Sequence, residues 1–254
     1  MRFIFWSAMF AIMFASIANA ESIRVGGTGY WSPYCYISPN EPANLQGFTV
    51  DFLKEVFNQP DDALNLAALP WKRCLVMLEN NELDLVLDGS KDSPRLQKYL
   101  FSDEIYHLDN VLYYLKDRFP NGPNLKSVKD MNNYSLGGIC GFYYKMFPFD
   151  VSRVQTGAKN IEIMLKKLKK HRFDLAIGFE QIVRSQIRLK GIGVENIAAV
   201  PMPGIDSFRF YIFGNHTPKT KRLLKRINSA LIEMEADGRL EKLRKKYGLQ
   251  DAGD

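Results

Sequence analysis

After residue 20, short β-type runs alternate with helix-period runs through almost the whole chain, and this alternation constrains the fold more than any single motif. A half-buried strand repeats every two residues and a helix every 3.6. A chain that keeps switching between the two therefore builds strands joined by helical crossovers, which implies α/β architecture with mostly parallel sheets flanked by helices. Residues 23–27 read as a strand and 49–58 as a helix, with Phe52, Leu53, Val56 and Phe57 on one face and Asp51 in the first turn, where the dipole favours an anion. Residues 64–69 read as the next strand. Trp71, Cys74, Leu75 and Leu78 then follow at i, i+3, i+4 and i+7, and an Asn80-Asn81 turn precedes the strand 83–87.

The same order recurs later as strand 134–139, a helix from Phe142, strand 151–155, helix 161–170 and strand 173–177. From Leu78 to Asp84 and from Leu168 to Asp174 the spacing between the last helical leucine and the strand-opening aspartate is the same. Two similar lobes are the economical reading. A strand-like run at 109–116, a Pro/Gly/Asn-rich stretch at 117–124 and the break Pro201-Met202-Pro203-Gly204 suggest two crossings between them, with hinges near 116–121 and 204–209. The expected division is residues 21–116 for the first lobe, 117–206 for the second, and 207–254 returning to the first through strand 208–213 and helices 218–238 and 239–247. Leu223, Leu224, Ile227, Leu231 and Met234 form an inward stripe there, and the many Lys and Arg a solvated face.

Arg2, the apolar run 3–18 and Ala18-Asn19-Ala20 read as a secretory signal with cleavage after Ala20, since the run is short of the ~20 residues a spanning helix needs. The expected location is the periplasm. Lys plus Arg number 34 against 28 Asp plus Glu, a net charge of +6 spread along the chain and too mild to imply nucleic acid. His107, His171 and His216 are scattered and Cys35, Cys74 and Cys140 lack zinc spacing, so no metal is expected. Cys35 and Cys74 lie in the same half of the chain and could bridge while Cys140 lies elsewhere, and three buried thiols are equally open.

In α/β lobes, ligands collect at the carboxyl ends of the parallel strands. The loops that fall there are 28–36, 88–95, 140–143 and 178–181. The first carries Tyr30, Trp31, Tyr34 and Tyr36, and Trp71 opens a nearby helix, offering several flat apolar faces. The second runs from Asp88 through Gly89 and Ser90 to Arg95, whose guanidinium can hold a carboxylate by two parallel hydrogen bonds or can pair with Asp92 or Asp103.

Ile23-Arg-Val-Gly-Gly27, Ser32-Pro33-Tyr34, Gly47-Phe-Thr-Val-Asp51, Pro70-Trp71, Asp84, Gly89, Arg95, Phe101-Ser-Asp103 and the run from Ile227 to Gly238 occur in that order. Together they resemble the family 3 extracellular solute-binding proteins of polar amino-acid ABC importers, over nearly the whole chain after residue 20. The resemblance implies a two-lobe type II periplasmic-binding fold that closes on a small solute and delivers it to a membrane ABC permease as a monomer without a cofactor. It places Trp31 and Trp71 on the ligand side chain and Arg95 on its carboxylate. Three departures stand out. The chain is one residue shorter than the family's pattern between Gly89 and Arg95. Cys140-Gly141-Phe142 replaces a small hydroxyl residue and leaves only backbone N–H groups, and the acidic position that receives a ligand amino group falls on Phe179, with Glu180 next. Glu180 either faces the cleft or pairs with Arg184. Two other functions share the scaffold: a dehydratase of cyclohexadienyl acids, for which Glu180 and His107 form no paired constellation, and a soluble sensor docking on a membrane receptor. A binding protein rather than an enzyme is expected.

Overall fold

Strand β1 (Glu21–Gly27) buries Ile23 and Val25 on one face and ends in two glycines. The computed structural model describes residues 21–249 except 141, 143, 145 and 146, so the export signal expected at 1–20 and the candidate Gly141 lie outside the described residues. Strands β2 (Tyr30–Trp31), β3 (Cys35–Ser38) and β4 (Glu41–Gln46) form a small antiparallel meander where an aromatic loop was expected. Helix α1 (Phe48–Val56), strand β5 (Asp62–Ala68), helix α2 (Trp71–Glu79) and strand β6 (Leu85–Gly89) complete the expected β-α-β-α-β unit. After them come helix α3 (Ser93–Lys98) and strands β7 (Leu100–Phe101), β8 (Tyr106–Leu108) and β9 (Asn110–Leu115).

The second unit runs through β10 (Leu136–Ile139), β11 (Val154–Ala158), α4 (Ile161–Lys169), β12 (Leu175–Phe179), α5 (Glu180–Lys190) and β13 (Ile197–Pro201). The chain closes with β14 (Phe208–Gly214), α6 (Pro218–Ala236) and α7 (Arg239–Tyr247). No α-helix begins at Phe142 among the described residues, and the strand expected from Val151 starts at Val154 after a single 3-10 turn.

The first sheet has the order β5-β1-β6-β14-β7, with β8 also on β14; the second has the order β11-β10-β12-β9-β13. In each, three parallel strands are followed by antiparallel ones. The shared spacing has a shared geometry. Asp84 accepts the backbone N–H of Arg24 at 2.8 Å and returns its own N–H to the Arg24 carbonyl, while Asp174 does the same with Ser135 at 2.7 Å. Each aspartate thereby ties the entrance of its strand to the neighbouring one. Asn81 and His171, at matching positions in the preceding turns, both take left-handed backbone, with φ of 57° and 52°.

The expected lobe boundary changes at one place. Strand β9 pairs with β12 and β13 in the second sheet, so the first crossing is at Asp109, between β8 and β9, instead of near residue 116. The second crossing lies between β13 and β14, close to where it was expected. Helix α6 buries Leu223, Leu224, Ile227, Leu231 and Met234 as the stripe requires, each contributing about 1.5–3 kcal/mol on leaving water. Its start is fixed by Thr217, whose hydroxyl accepts the Thr220 N–H at 3.0 Å, with Pro218 in the first turn. The largest buried cluster runs without a break from Ile23 and Val25 through Phe210 to Leu165 and Phe173, joining the two lobes.

Candidate functional site

Strands β5, β1 and β6 are parallel neighbours, so the segments that leave their carboxyl ends open at one edge of the sheet. Near that edge Arg95 and Trp71 come together from separate parts of the chain, while Trp31 lies against Phe179 and Phe210. Asp92 caps α3 by accepting the Arg95 backbone N–H at 2.8 Å. The Arg95 side chain then folds back: Nη1 donates to the carbonyl and hydroxyl of Ser90, both at 3.0 Å, and Nε lies 3.6 Å from Asp92. Its guanidinium carbon sits 5.4 Å from the Trp71 ring centre. The group is held in place by its own loop before any ligand is considered. Nearby, Lys91 rests 3.7 Å from the centre of the Tyr211 ring, and its partial burial pulls its ammonium below the usual range.

Across the gap, β12 ends at Phe179, whose ring meets Phe142 at 5.4 Å and Trp31, Phe208 and Phe210 at 6.0 Å each. The interplanar angles run from 64° to 88°, the edge-to-face arrangement that ring quadrupoles favour. Ser32 and Ser185, both buried, share a hydrogen bond of 2.7 Å between the lobes. At the first crossing, Asp109 accepts from Ser207 at 2.6 Å and from Gln181 at 2.7 Å, and Asn110 donates to the Asp206 carbonyl at 2.8 Å. The two crossing segments are thus stitched side by side and to the start of α5.

Beneath the rings lies Asp88, in left-handed backbone at φ 59°. Thr49 donates to its Oδ1 at 2.8 Å, and its Oδ2 is buried without a hydrogen-bond partner among the described residues. Burial pushes this carboxyl up to about 7, against the smaller opposing effect of the Thr49 and Tyr106 hydroxyls. The Tyr106 hydroxyl in turn accepts the indole N–H of Trp31 at 2.9 Å, so a chain of polar contacts runs from α1 to the gap between the lobes.

Residues 23–250 match the sequence profile of the bacterial extracellular solute-binding proteins, family 3. The chain belongs to this family. Among its relatives, the arginine-binding extracellular protein ArtP of Bacillus subtilis is 26% identical over 242 residues, 91% of this chain and 88% of that one. The histidine-binding periplasmic protein of Escherichia coli K12 is 24% identical over 92% of this chain and 90% of its own length. A Streptococcus pneumoniae ABC uptake transporter substrate-binding protein solved with bound histidine shares the fold at a TM-score of 0.71, with 20% identity, 91% of this chain and 93% of that chain.

In this family 3 protein the expected site residues fall into distinct settings. Trp71 and Ser90 contact Arg95, Trp31 lies instead against Phe179 and Phe210, and Tyr30, mostly exposed, leans on the backbone at the start of α2. Phe142 reaches the same ring cluster from the second lobe. Tyr34 is turned inward instead: it is 2% exposed and stacked 3.6 Å from Tyr106, because the β2–β4 meander folds its loop back over α1. Gly89 lies against Phe213, where a Cβ would come within 2.4 Å of the ring, so its smallness serves strand packing. Glu180 opens α5 and pairs with Arg184 one turn on. Phe208, Phe210, Tyr106, Asp109 and Asp88 were not singled out as site residues from the sequence. The alternation of Phe208 and Phe210 along one strand was the visible signal that both rings share a face.

Proposed function

We propose that the chain captures a small carboxylate-bearing solute between its two lobes and delivers it to a membrane ABC permease, from a periplasmic location reached by an export signal. Arg95 carries the reading. It stands in the short helix that follows β6, held by Ser90 and Asp92 and beside the ring of Trp71. A fixed guanidinium beside an apolar ring suits a solute with an anionic head and a less polar body. Binding without turnover is the reading, since Glu180 is engaged with Arg184 and His107 with Glu104 at 3.1 Å, and the two do not face each other as an acid and base pair. The ArtP and histidine-binding relatives support transport of a small polar metabolite.

A thermal-shift screen of amino acids, small acids and polyamines, followed by calorimetry on the best hit, tests this. Arg95→Ala should weaken that hit by about 2–5 kcal/mol if the ion pair is desolvated on closure. Wild-type affinity in the variant would remove the carboxylate assignment.

A further inference from the structure

We infer that the second lobe carries an anion site at its base, a cavity of about 340 Å³ lined by Gln155, Lys167, Lys170, Arg172 and Phe173, and that it takes the phosphate group of a phosphate ester. The site does not involve Arg95. Gln155 is the second residue of β11 and Phe173 stands two residues before β12, so the cavity lies at the amino edge of the parallel strands. Phe179, at the far end of β12, is roughly 20 Å further along the chain. The cations at this cavity lack counter-charges. Basic residues in the last turn of a helix are expected from its dipole, and α4 carries Lys166, Lys167 and Lys169 there. Lys166 meets Glu162 at 2.7 Å and Lys169 meets Glu195 at 3.3 Å. Lys167, on the cavity, finds only the Gly157 carbonyl at 2.7 Å, a contact that guards the edge strand β11 and leaves further ammonium hydrogens to donate. Lys170 and Arg172, both exposed, have no side-chain partner among the described residues. Asp174, the nearest acid along the chain to Arg172, is turned to Ser135 and Arg118.

Three cations around one cavity repel one another, and an oxyanion placed among them removes that repulsion. A phosphate ester suits the donors. Its unesterified oxygens can accept from the Arg172 fork, the lysine ammoniums and the Gln155 amide together, whereas a carboxylate has only two oxygens to share. The space is also too large for a bare ion. A water molecule takes about 30 Å³ of liquid, so about 340 Å³ leaves room for the organic part of the ester beside its phosphate. Phe173 gives that part an apolar floor. Its ring is buried and seated against Gly137, where a Cβ would come within 2.3 Å of it, so the floor is fixed by the close approach of β10.

The test uses the mature chain from Glu21 onward and phosphate esters from two sources: glycerol 1-phosphate, titrated by calorimetry, and phosphatidylglycerol in phosphatidylcholine vesicles, read by co-sedimentation. At least one should bind, and the double variant Lys170→Gln/Arg172→Gln should weaken it by about tenfold or more. The double variant Lys166→Gln/Lys169→Gln removes the same charge from the same end of α4 but leaves the cavity lining intact, so it should lose no more than about threefold. Binding of the soluble ester alone supports the site and assigns it to a dissolved metabolite; binding of the vesicles alone supports it and assigns it to a membrane surface. Equal losses in the two double variants would reduce the effect to general charge attraction and overturn the site. Failure of both esters to bind the wild type would overturn it too. Inorganic phosphate binding as tightly as glycerol 1-phosphate would overturn the ester assignment, since the floor and the volume would then contribute nothing.

Discussion

Asp88 offers a test of the buried geometry that needs no ligand. Its carboxyl titrates at about 7 in the folded chain against an ordinary 3.8, because burial disfavours the charged form. One pKa unit is about 1.4 kcal/mol, so that interval corresponds to about 4 kcal/mol, an upper bound because the residue as a whole is not fully closed from solvent. The folded value is the raised one. The stabilising contribution is therefore complete below 3.8, falls as pH rises through about 7, and is absent above it. Asp88→Asn cannot ionise, keeps an oxygen for the Thr49 hydroxyl, and tolerates the left-handed backbone that asparagine adopts readily. Urea unfolding at pH 5 and pH 8 should show wild type losing up to about 3 kcal/mol across that interval beyond any loss in the variant. The other strongly placed carboxylates do not interfere. Arg226 holds Asp62 below the ordinary range, and Arg24 and Lys219 outweigh the burial that would raise Asp84, so their contributions are lost only in more acidic solution. The three exposed histidines are common to both proteins and cancel in the comparison. Equal pH slopes for wild type and Asp88→Asn would show that Asp88 is not buried as described.

Two further outcomes follow from local geometry. His171→Gly should stabilise the chain by up to about 1 kcal/mol in urea, since an exposed histidine at φ 52° bears a left-handed penalty that glycine avoids; a lower midpoint in the variant would contradict this. Cys140 is exposed and should react with a thiol reagent in the native protein, while Cys35 and Cys74 react only after unfolding, their thiols both buried and pushed up, Cys74 to about 11. A reducible bond between Cys35 and Cys74 would refute the sheet arrangement, because the side-chain directions of Gly26 and Gly27 meet Cys74 and Cys35 respectively and adjacent strand residues point to opposite faces.

The two lobes were visible in the sequence through particular residues. The repeated interval from leucine to aspartate marked a real correspondence, since Asp84 and Asp174 make the same backbone tie. The stripe in α6 and the strands of both units were also legible, because each depends on a period set by backbone geometry over a few residues. Arg95 stood out for a similar reason, as the end of a small polar loop beginning a short capped helix. The site was less legible. Tyr34 and Trp31 belong to the same aromatic run, yet one is stacked on Tyr106 in the core and the other meets Phe179 from the opposite lobe.

By itself, then, the sequence determined the alternation of strands and helices in the two units and the two-lobe pattern, though not the β2–β4 meander, because hydrophobic period, caps and turn residues act over one or two turns of chain. Only the tertiary structure decided that β9 joins the second sheet, that Cys35 and Cys74 face away from each other, that Glu180 turns to Arg184, and that Phe208 and Phe210 border the gap beside Phe179. Those outcomes depend on which distant backbone edge a strand pairs with and on which face its alternate residues then present. A strand carries the same two-residue period whichever partner it takes, so the choice is settled only when the whole core packs.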